Sequence, residues 1–491
     1  MSGFLNKIKN IFRNLFTKLG NLKASLLFKL RDLAPYQRNR LIVASAGFIL
    51  LTLIILSLMG VFNRKPQEII PERETLVFWN VYDDEEVFKQ LIYAYKEKNP
   101  YVDIVYERKR YNNYREFVSE LLSAKQGPDI YAIHHTWLPL ERKRLVAMND
   151  VMPDLNPPLV INKYPEVFRF DFVVEPAPGD LEGEPKIYAL PLAIDTLALY
   201  YNIDLFNTNS IVYAPRTWEE FVDVVNKLER VDENGNITLS GVALGSAFNE
   251  RVNRSTDILS LLMMQSGAQM NNEYGRITFD SGVKTEDGFT YYPARDAINF
   301  YTSFANPNSQ NYTWPPNAKY AKNAFYSIDA FVEGTAAMMI NYSYHRETVK
   351  KRNPDLKFSV SEIPQPQDSV VKINYASYWG YAVPKISDNP KLAWDFINFI
   401  TQEKNAKMYL EASDKPTALK SLIPAQQEDP ELGVFANQVL TARSWRQPDF
   451  FEVQNILEEA INSVWPGNQS VSRAITEAAR LINLVNLEDL Y

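Results

Sequence analysis

The chain has 491 residues, 46% of them hydrophobic, which is too long for one ordinary compact domain and rich enough in apolar side chains for substantial cores. Its formal charge of -7 hides an asymmetry: residues 1–40 carry nine Lys/Arg against the single acid Asp32, giving +8, and the remainder stands at -15. An acidic remainder argues against nucleic acid as a partner, because phosphate binding needs a basic surface, and the lack of cysteine excludes a disulfide framework, a thiolate nucleophile, a cysteine metal site and lipid attachment at a cysteine.

In chain order, the first segment places Phe4, Ile8, Ile11, Phe12, Leu15, Phe16, Leu19 and Leu22 at helical spacing, with Lys7, Lys9, Arg13 and Lys18 on other faces. Such a helix suits the inner membrane surface or a cytoplasmic partner. Residues 41–62 contain no charge, and as a helix they would extend roughly 33 Å, enough to cross a bilayer. The preceding basic residues, ending in Arg38 and Arg40, put residues 1–40 in the cytoplasm and everything after 62 outside. No small-x-small cleavage site follows the apolar run, so the reading is an uncleaved anchor rather than a signal peptide. Residues 63–74, with two prolines and mixed charges, form an exposed linker.

From Thr75 the period changes. Leu76, Val77, Phe78 and Trp79 read as a buried strand, and Val87, Phe88, Leu91, Ile92 and Tyr95 as the face of a helix. The unit repeats with a strand at 102–106, a helix at 114–124 and, after Gly127-Pro128, a strand at 129–133. Successive β-α-β units imply a mainly parallel sheet covered by helices, with ligands gathering at the carboxyl ends of the strands. The loops near Asn80, Lys109 and His134 are therefore candidate site walls. Further strands are expected at 187–192, 336–340 and 379–383, with an apolar run at 197–201. Thr217 and Glu220 form a capping box for a helix bearing Phe221, Val224, Val225 and Leu228, and Asn389-Pro390 opens a helix with Trp394, Ile397 and Ile400 inward. The carboxyl end is helical, broken near Pro466-Gly467.

Several segments, in this order, carry a resemblance: Gly127-Pro128-Asp129-Ile130, Tyr188-Ala189-Leu190-Pro191, the run from Asp195 to Asn202, Pro215 to Phe221, Phe331 to Ile340, and Gly380 to Lys385. Over residues 75–487 the chain resembles family 1 extracellular solute-binding proteins, the maltose-binding-like components of ABC importers. The resemblance implies an α/β, two-lobed periplasmic-binding-protein-like fold with a hinge and an interlobe cleft, here preceded by one transmembrane helix. Residues 75–193 with about 374–430 would form one lobe, and about 197–371 with about 435–491 the other. It further implies a small ligand, of sugar type by family habit, delivered to ABC permease subunits, with no cofactor and no enzymatic step.

Sugar sites combine flat apolar faces for C–H surfaces with polar groups for hydroxyls. Trp79 and Asn80, at the end of the first strand, fit by position, although Trp79 equally suits closing the core. Asp83, in the acidic run 83–86, either favours the start of the next helix or, as the resemblance implies, reaches the ligand. His134 and His135 follow the third strand and point to opposite sides, as hydrogen-bonding groups rather than metal ligands. Trp137, in the same segment, reads as packing behind the loop. Asp195 interrupts an apolar run where the family crosses its first hinge, and serves either the ligand or the hinge itself. Tyr344 matches the family's aromatic platform, with Tyr342 in reserve. Ser377 and Trp379 lie on another strand-entry loop, and Asn249, Asn253 and Arg254 are polar candidates in the 246–257 loop. The competing functions are an anchored sensor or scaffold and a carbohydrate-active enzyme, which would need two carboxylates across one cleft.

Overall fold

A computed structural model describes residues 34–58, 73–176, 180, 183–247, 251–315 and 326–488. Two compact units divide at Glu72. In the first, helix α1 (Pro35–Leu58) exposes Val43, Phe48, Ile49, Leu50, Leu51 and Ile54. The amphipathic segment before residue 34, the linker at 63–72 and the end of the expected span at 59–62 lie outside the described residues. Among the described residues no helix is long and apolar enough to cross a membrane, so the fold does not supply the transmembrane helix expected from the sequence.

The second unit begins with β1 (Glu74–Asn80), α2 (Glu85–Lys98), β2 (Val102–Arg108), α3 (Tyr114–Ser123), β3 (Ile130–His134) and β4 (Leu145–Val146). Helix α2 forms where the sequence places it: Phe88, Leu91 and Tyr95 are its buried stripe, and its acids and lysines complement the two ends of the helix dipole. The chain then passes through β5 (Asp195–Thr196) into β6 (Ala198–Asn202), α4 (Trp218–Leu228), α5 (Ser255–Gln265), β7 (Met338–Asn341), α6 (His345–Arg352) and β8 (Phe358–Ser361). It returns through β9 (Asn374–Ser377) to β10 (Trp379–Pro384), α7 (Pro390–Ile400) and α8 (Glu403–Ser413). A last passage at β11 (Ala442–Arg443) leads to α9 (Phe450–Val464) and α10 (Val471–Glu488).

Two sheets result. The first has the order β2-β1-β3-β10-β4: β1 is parallel to β2 and β3, whereas β10 runs antiparallel to β3 and β4. The parallel character expected from the β-α-β units therefore holds for three strands and ends where the returning chain inserts. Gly380 makes that insertion possible, since a Cβ there would lie 2.7 Å from the ring of Phe172. The second sheet, β7-β6-β8, is antiparallel throughout. The strand expected at 187–192 shrinks to Lys186–Ile187 plus a bridge between Leu190 and Tyr381. Pro185 and Pro191 lack the N–H that a longer ladder requires. Thr217 caps α4 as the motif predicts, its hydroxyl accepting from the Glu220 N–H at 3.2 Å, while the Glu220 carboxylate reaches the N–H of Arg216.

The apolar side chains sort into separate cores, and the change occurs at the three passages. Ile194, Ala376 and Ala442 belong to the first core; Leu197, Tyr375 and Trp445 belong to the second. The three passages pair with one another as a small sheet, β11-β9-β5, in which Ser377 opposes Asp195 and Asn374 opposes Ala442. Buried Gln438 fastens it: its Nε2 donates to Thr196 Oγ1 and the Leu197 carbonyl, both at 3.0 Å, and its Oε1 accepts from the Ile363 N–H at 2.8 Å. Asp195 adds a second fastening. Its carboxylate accepts from the Ser343 hydroxyl at 2.7 Å, the Ser343 N–H at 3.0 Å and the Thr196 N–H at 2.8 Å.

Burial pushes the Asp195 carboxyl up from 3.8 to about 6, against the opposing pull of the Ser343 and Thr196 hydrogen bonds and of Arg346. A carboxyl with a raised folded-state pKa contributes most to stability below its unfolded value and loses that contribution as pH rises through the folded value. Between pH 4 and pH 7 the wild type should therefore lose about 2–3 kcal/mol of unfolding free energy relative to Asp195→Asn. Urea midpoints across that range check this; parallel pH profiles for the two proteins would contradict it.

Candidate functional site

The first sheet brings several loops to one rim. Asn80 ends β1, Arg108 ends β2, His134 ends β3, and Trp379 begins the antiparallel β10 directly opposite His134. Just beyond this rim stand Tyr82 and Tyr111, whose ring centroids are 5.6 Å apart and lie 5.5 and 6.4 Å from Trp379. His134 sits beneath, 5.3 Å from Trp379, with Nδ1 bonded to Thr136 and Nε2 to the Ser377 hydroxyl at 3.1 Å. Phe450, at the start of α9, closes on the His134 ring at 5.1 Å.

The second lobe faces this rim with residues from two places. Strand β7 ends at Asn341 and the chain turns through Tyr342, Ser343 and Tyr344 into α6; Tyr342 and Tyr344 stack with centroids 5.9 Å apart. Arg254 adopts the left-handed conformation, φ +63°, immediately before α5. Its guanidinium donates to the Tyr344 hydroxyl and lies 5.6 and 5.8 Å from the rings of Tyr342 and Tyr344. Asp257, one turn into α5, accepts from the Tyr342 hydroxyl at 2.8 Å.

Electrostatic coupling shows which groups face one another. Burial raises the Tyr82 hydroxyl pKa first, with Tyr111 and, across the lobes, Tyr344 adding to it and Arg254 opposing. Arg254 likewise acts on Tyr111 and His134. Burial holds His134 well below the usual histidine range, and burial followed by Arg254 brings His345 down to about 3, so both imidazoles are neutral. Tyr344 is 43% exposed and Tyr82 51% exposed, yet burial is the largest influence on both hydroxyls. Dense protein surroundings combined with solvent access describe the wall of a cleft. Tyr344 is pushed up to about 12 and stays protonated.

The residues singled out in the sequence divide between this cleft and the cores behind it. Trp379, His134 and Ser377 meet on the first lobe's side of the cleft, with Asp195 at its hinge edge opposite Ser377, and Tyr344 stands on the second lobe's side, acting on Tyr82. Tyr342 is fully buried and supports Tyr344. Trp79 is buried, stacked on Phe117 at 5.6 Å with Lys109 over its ring. Asn80 is spent on the Val81 N–H, Asp83 and the Tyr381 hydroxyl. Asp83 is buried and engaged by Lys415, by the Tyr409 hydroxyl at 2.9 Å and by Asn80. His135 points the other way, stacked on Tyr378 with Nδ1 3.2 Å from Asp171. Trp137 is buried behind Trp379, 5.0 Å from it. Asn253 exchanges hydrogen bonds with Ser327 at the start of the helix Ser327–Val332. Asn249 lies outside the described residues.

Tyr82, Tyr111, Asp257 and Phe450 were not identified from the sequence. Tyr82 and Tyr111 stand in the loops after β1 and β2, where strand-end reasoning pointed, and an aromatic search of those loops would have found them. A cavity of about 220 Å³ lined by His135, Phe170, Asp171 and Trp445 lies elsewhere; none of the cleft rings lines it. Glu347, Asp414 and Glu431 converge closely enough to hold a cation, but they are exposed and face Arg346 and Lys350.

The two-lobed α/β fold is shared with known proteins. The chain is 23% identical over 407 residues to a Brucella abortus (strain 2308) protein named only as a binding protein, covering 80% of this chain and 88% of that one. It is 24% identical to the maltodextrin-binding protein of Bacillus subtilis, covering 62% and 68% of the two chains. Among solved structures, the sugar-binding protein of Xanthomonas citri superposes with a TM-score of 0.67 at 16% identity, covering 84% of this chain and 98% of the other. A cyclo/maltodextrin-binding protein complexed with maltotetraose gives 0.64 at 16% identity, covering 85% and 98%. The model of the bacterial extracellular solute-binding protein family matches residues 90–434, most of the two-lobed unit, and the chain belongs to that family.

Proposed function

We propose that this protein captures an oligosaccharide outside the cell, closes its lobes over it and hands it unchanged to an ABC permease. The observation that carries the reading is the convergence of rings from both lobes, exposed Tyr82 and Tyr111 with half-buried Trp379 against exposed Tyr344, around hydrogen-bonding groups. Flat rings suit the apolar faces of pyranoses, and the neutral imidazoles and hydroxyls suit their OH groups. Relatives named for maltodextrin and galactooligosaccharide binding support the same ligand class. The two carboxylates nearest the cleft, Asp195 and Asp257, are each occupied by protein hydrogen bonds, which speaks for binding over hydrolysis.

In this reading the lobes are residues 75–193 with about 374–430 and residues about 197–371 with about 435–491, turning about the β11-β9-β5 sheet. The charge-free segment 41–62 serves as a single-pass anchor with residues 1–40 cytoplasmic, supported by its lack of charge, its basic flank and the exposed apolar residues of α1.

Trp379→Ala and Tyr344→Ala should each weaken binding of the best-bound member of an oligosaccharide panel by about 1–3 kcal/mol through lost stacking area. Calorimetric titration reads this, and wild-type affinity in either variant removes that ring from the site. Saturation with the same sugar should reduce the radius of gyration in small-angle scattering, because hinged closure brings two rigid lobes together; an unchanged radius would rule out closure. The full chain should sediment with membranes and residues 66–491 should remain in solution. A membrane-bound truncation would overturn the anchor assignment.

A further inference from the structure

We infer that the ligand of the cleft carries an anionic group received by Arg254, which narrows the oligosaccharide reading, on which it rests, to uronate-containing sugars. The argument begins with charge balance. Other arginines joining the two lobes have counterions: Arg115 pairs with Asp449 at 2.7 Å, and Arg346 with Asp414 and Glu431 at 2.6 and 2.9 Å. Arg254 makes no ion pair among the described residues, and the hydrogen bond it makes there is to the Tyr344 hydroxyl. A guanidinium has five N–H donors in a planar fork and stays charged at any ordinary pH, so among the described residues most of its donors have no acceptor.

The nearby acids fill that gap only in part: Asp257 and Arg254 each favour the other's charged form, but they form no ion pair. Asp257 directs its carboxylate to the Tyr342 hydroxyl, and Asp195 is spent on Ser343 and Thr196. Burial keeps His134 and His345 neutral, so neither offsets nor adds to the charge. Burial already opposes the Arg254 charge more than any other influence, closure of the lobes would deepen it, and a desolvated cation with only a partial counterion is costly. A neutral sugar would leave that cost in place. A carboxylate would remove it with two parallel N–H···O bonds.

Geometry selects the carrier of the carboxylate. The rings of Tyr342 and Tyr344 lie 5.6 and 5.8 Å from Arg254, whose charge also acts on Tyr82 and Tyr111 across the cleft, so flat apolar surface stands beside the fork. A uronate presents both partners on one ring: a pyranose face for stacking and a carboxylate at its edge. Arg254 is itself held firmly, since its carbonyl accepts the Ile258 N–H in the first turn of the buried helix α5.

The test uses the full chain in detergent, titrated calorimetrically at low ionic strength with galacturonate, mannuronate and guluronate trimers, with maltotriose, mannotriose and cellotriose, and with a sulfated galactan trimer. At least one uronate trimer should bind ten-fold or more tightly than every neutral trimer. Arg254→Gln should reduce that preference at least ten-fold, and Arg254→Lys should retain part of it. Tight binding of a neutral trimer with no uronate bound would overturn the acidic-ligand assignment while leaving the oligosaccharide reading intact. Preference for the sulfated sugar would overturn the carboxylate assignment, as would an unchanged uronate preference in Arg254→Gln. Binding of none of these sugars would overturn both readings. Equal melting temperatures for wild type and the two variants separate lost recognition from lost folding.

Discussion

The small sheet at the three crossings is the constraint on which the remaining structure depends. A chain that passes three times between two cores must satisfy buried backbone N–H and C=O groups at each passage, and a lone extended segment cannot do so. Pairing the passages with one another meets that need, and Gln438 satisfies groups that the pairing leaves over. Because all three connections lie in this one sheet, the closure proposed above would be a rotation about a narrow band.

The charged groups around this band have unequal roles. Asp195 is retained in a poorly solvated place by Ser343 and so links the first crossing to the turn that presents Tyr344. Arg346 accompanies it, donating to the Ser343 carbonyl and bridging to Asp414 and Glu431. Asp414 is followed directly by Lys415, whose ammonium meets Asp83 within the first lobe. A run of ion pairs and hydrogen bonds thus reaches from the first lobe's core to the aromatic turn of the second. Arg254 stands outside it, which is why its charge is available to a ligand.

Asp83 and Asn80 show why position along a strand underdetermines a site. Both follow β1 at the rim, as ligand contacts would, but Tyr381, Tyr409 and Lys415 come from a segment some 300 residues later and claim them. The same late segment supplies Trp379, which forms the cleft wall with Tyr82 and Tyr111. Whether a polar side chain beside a strand end is free for a ligand depends on what the returning chain brings against it. That is a long-range packing outcome with no local signal.

Local patterns determined much of the rest. The period of apolar residues gave α2 and the first three strands, the capping residue Thr217 gave the start of α4, and the order of motifs gave two lobes with a hinge near Asp195. These features depend on neighbours a few residues apart, or on whole-chain order, and both are written in the sequence. The tertiary structure alone decided that β10 inserts antiparallel, that Asp83 and His135 turn inward, and that Tyr82 and Tyr111 face Tyr344 and Arg254. Each of those outcomes depends on side chains from distant segments competing for the same space and the same hydrogen bonds, a competition settled only when the lobes are assembled.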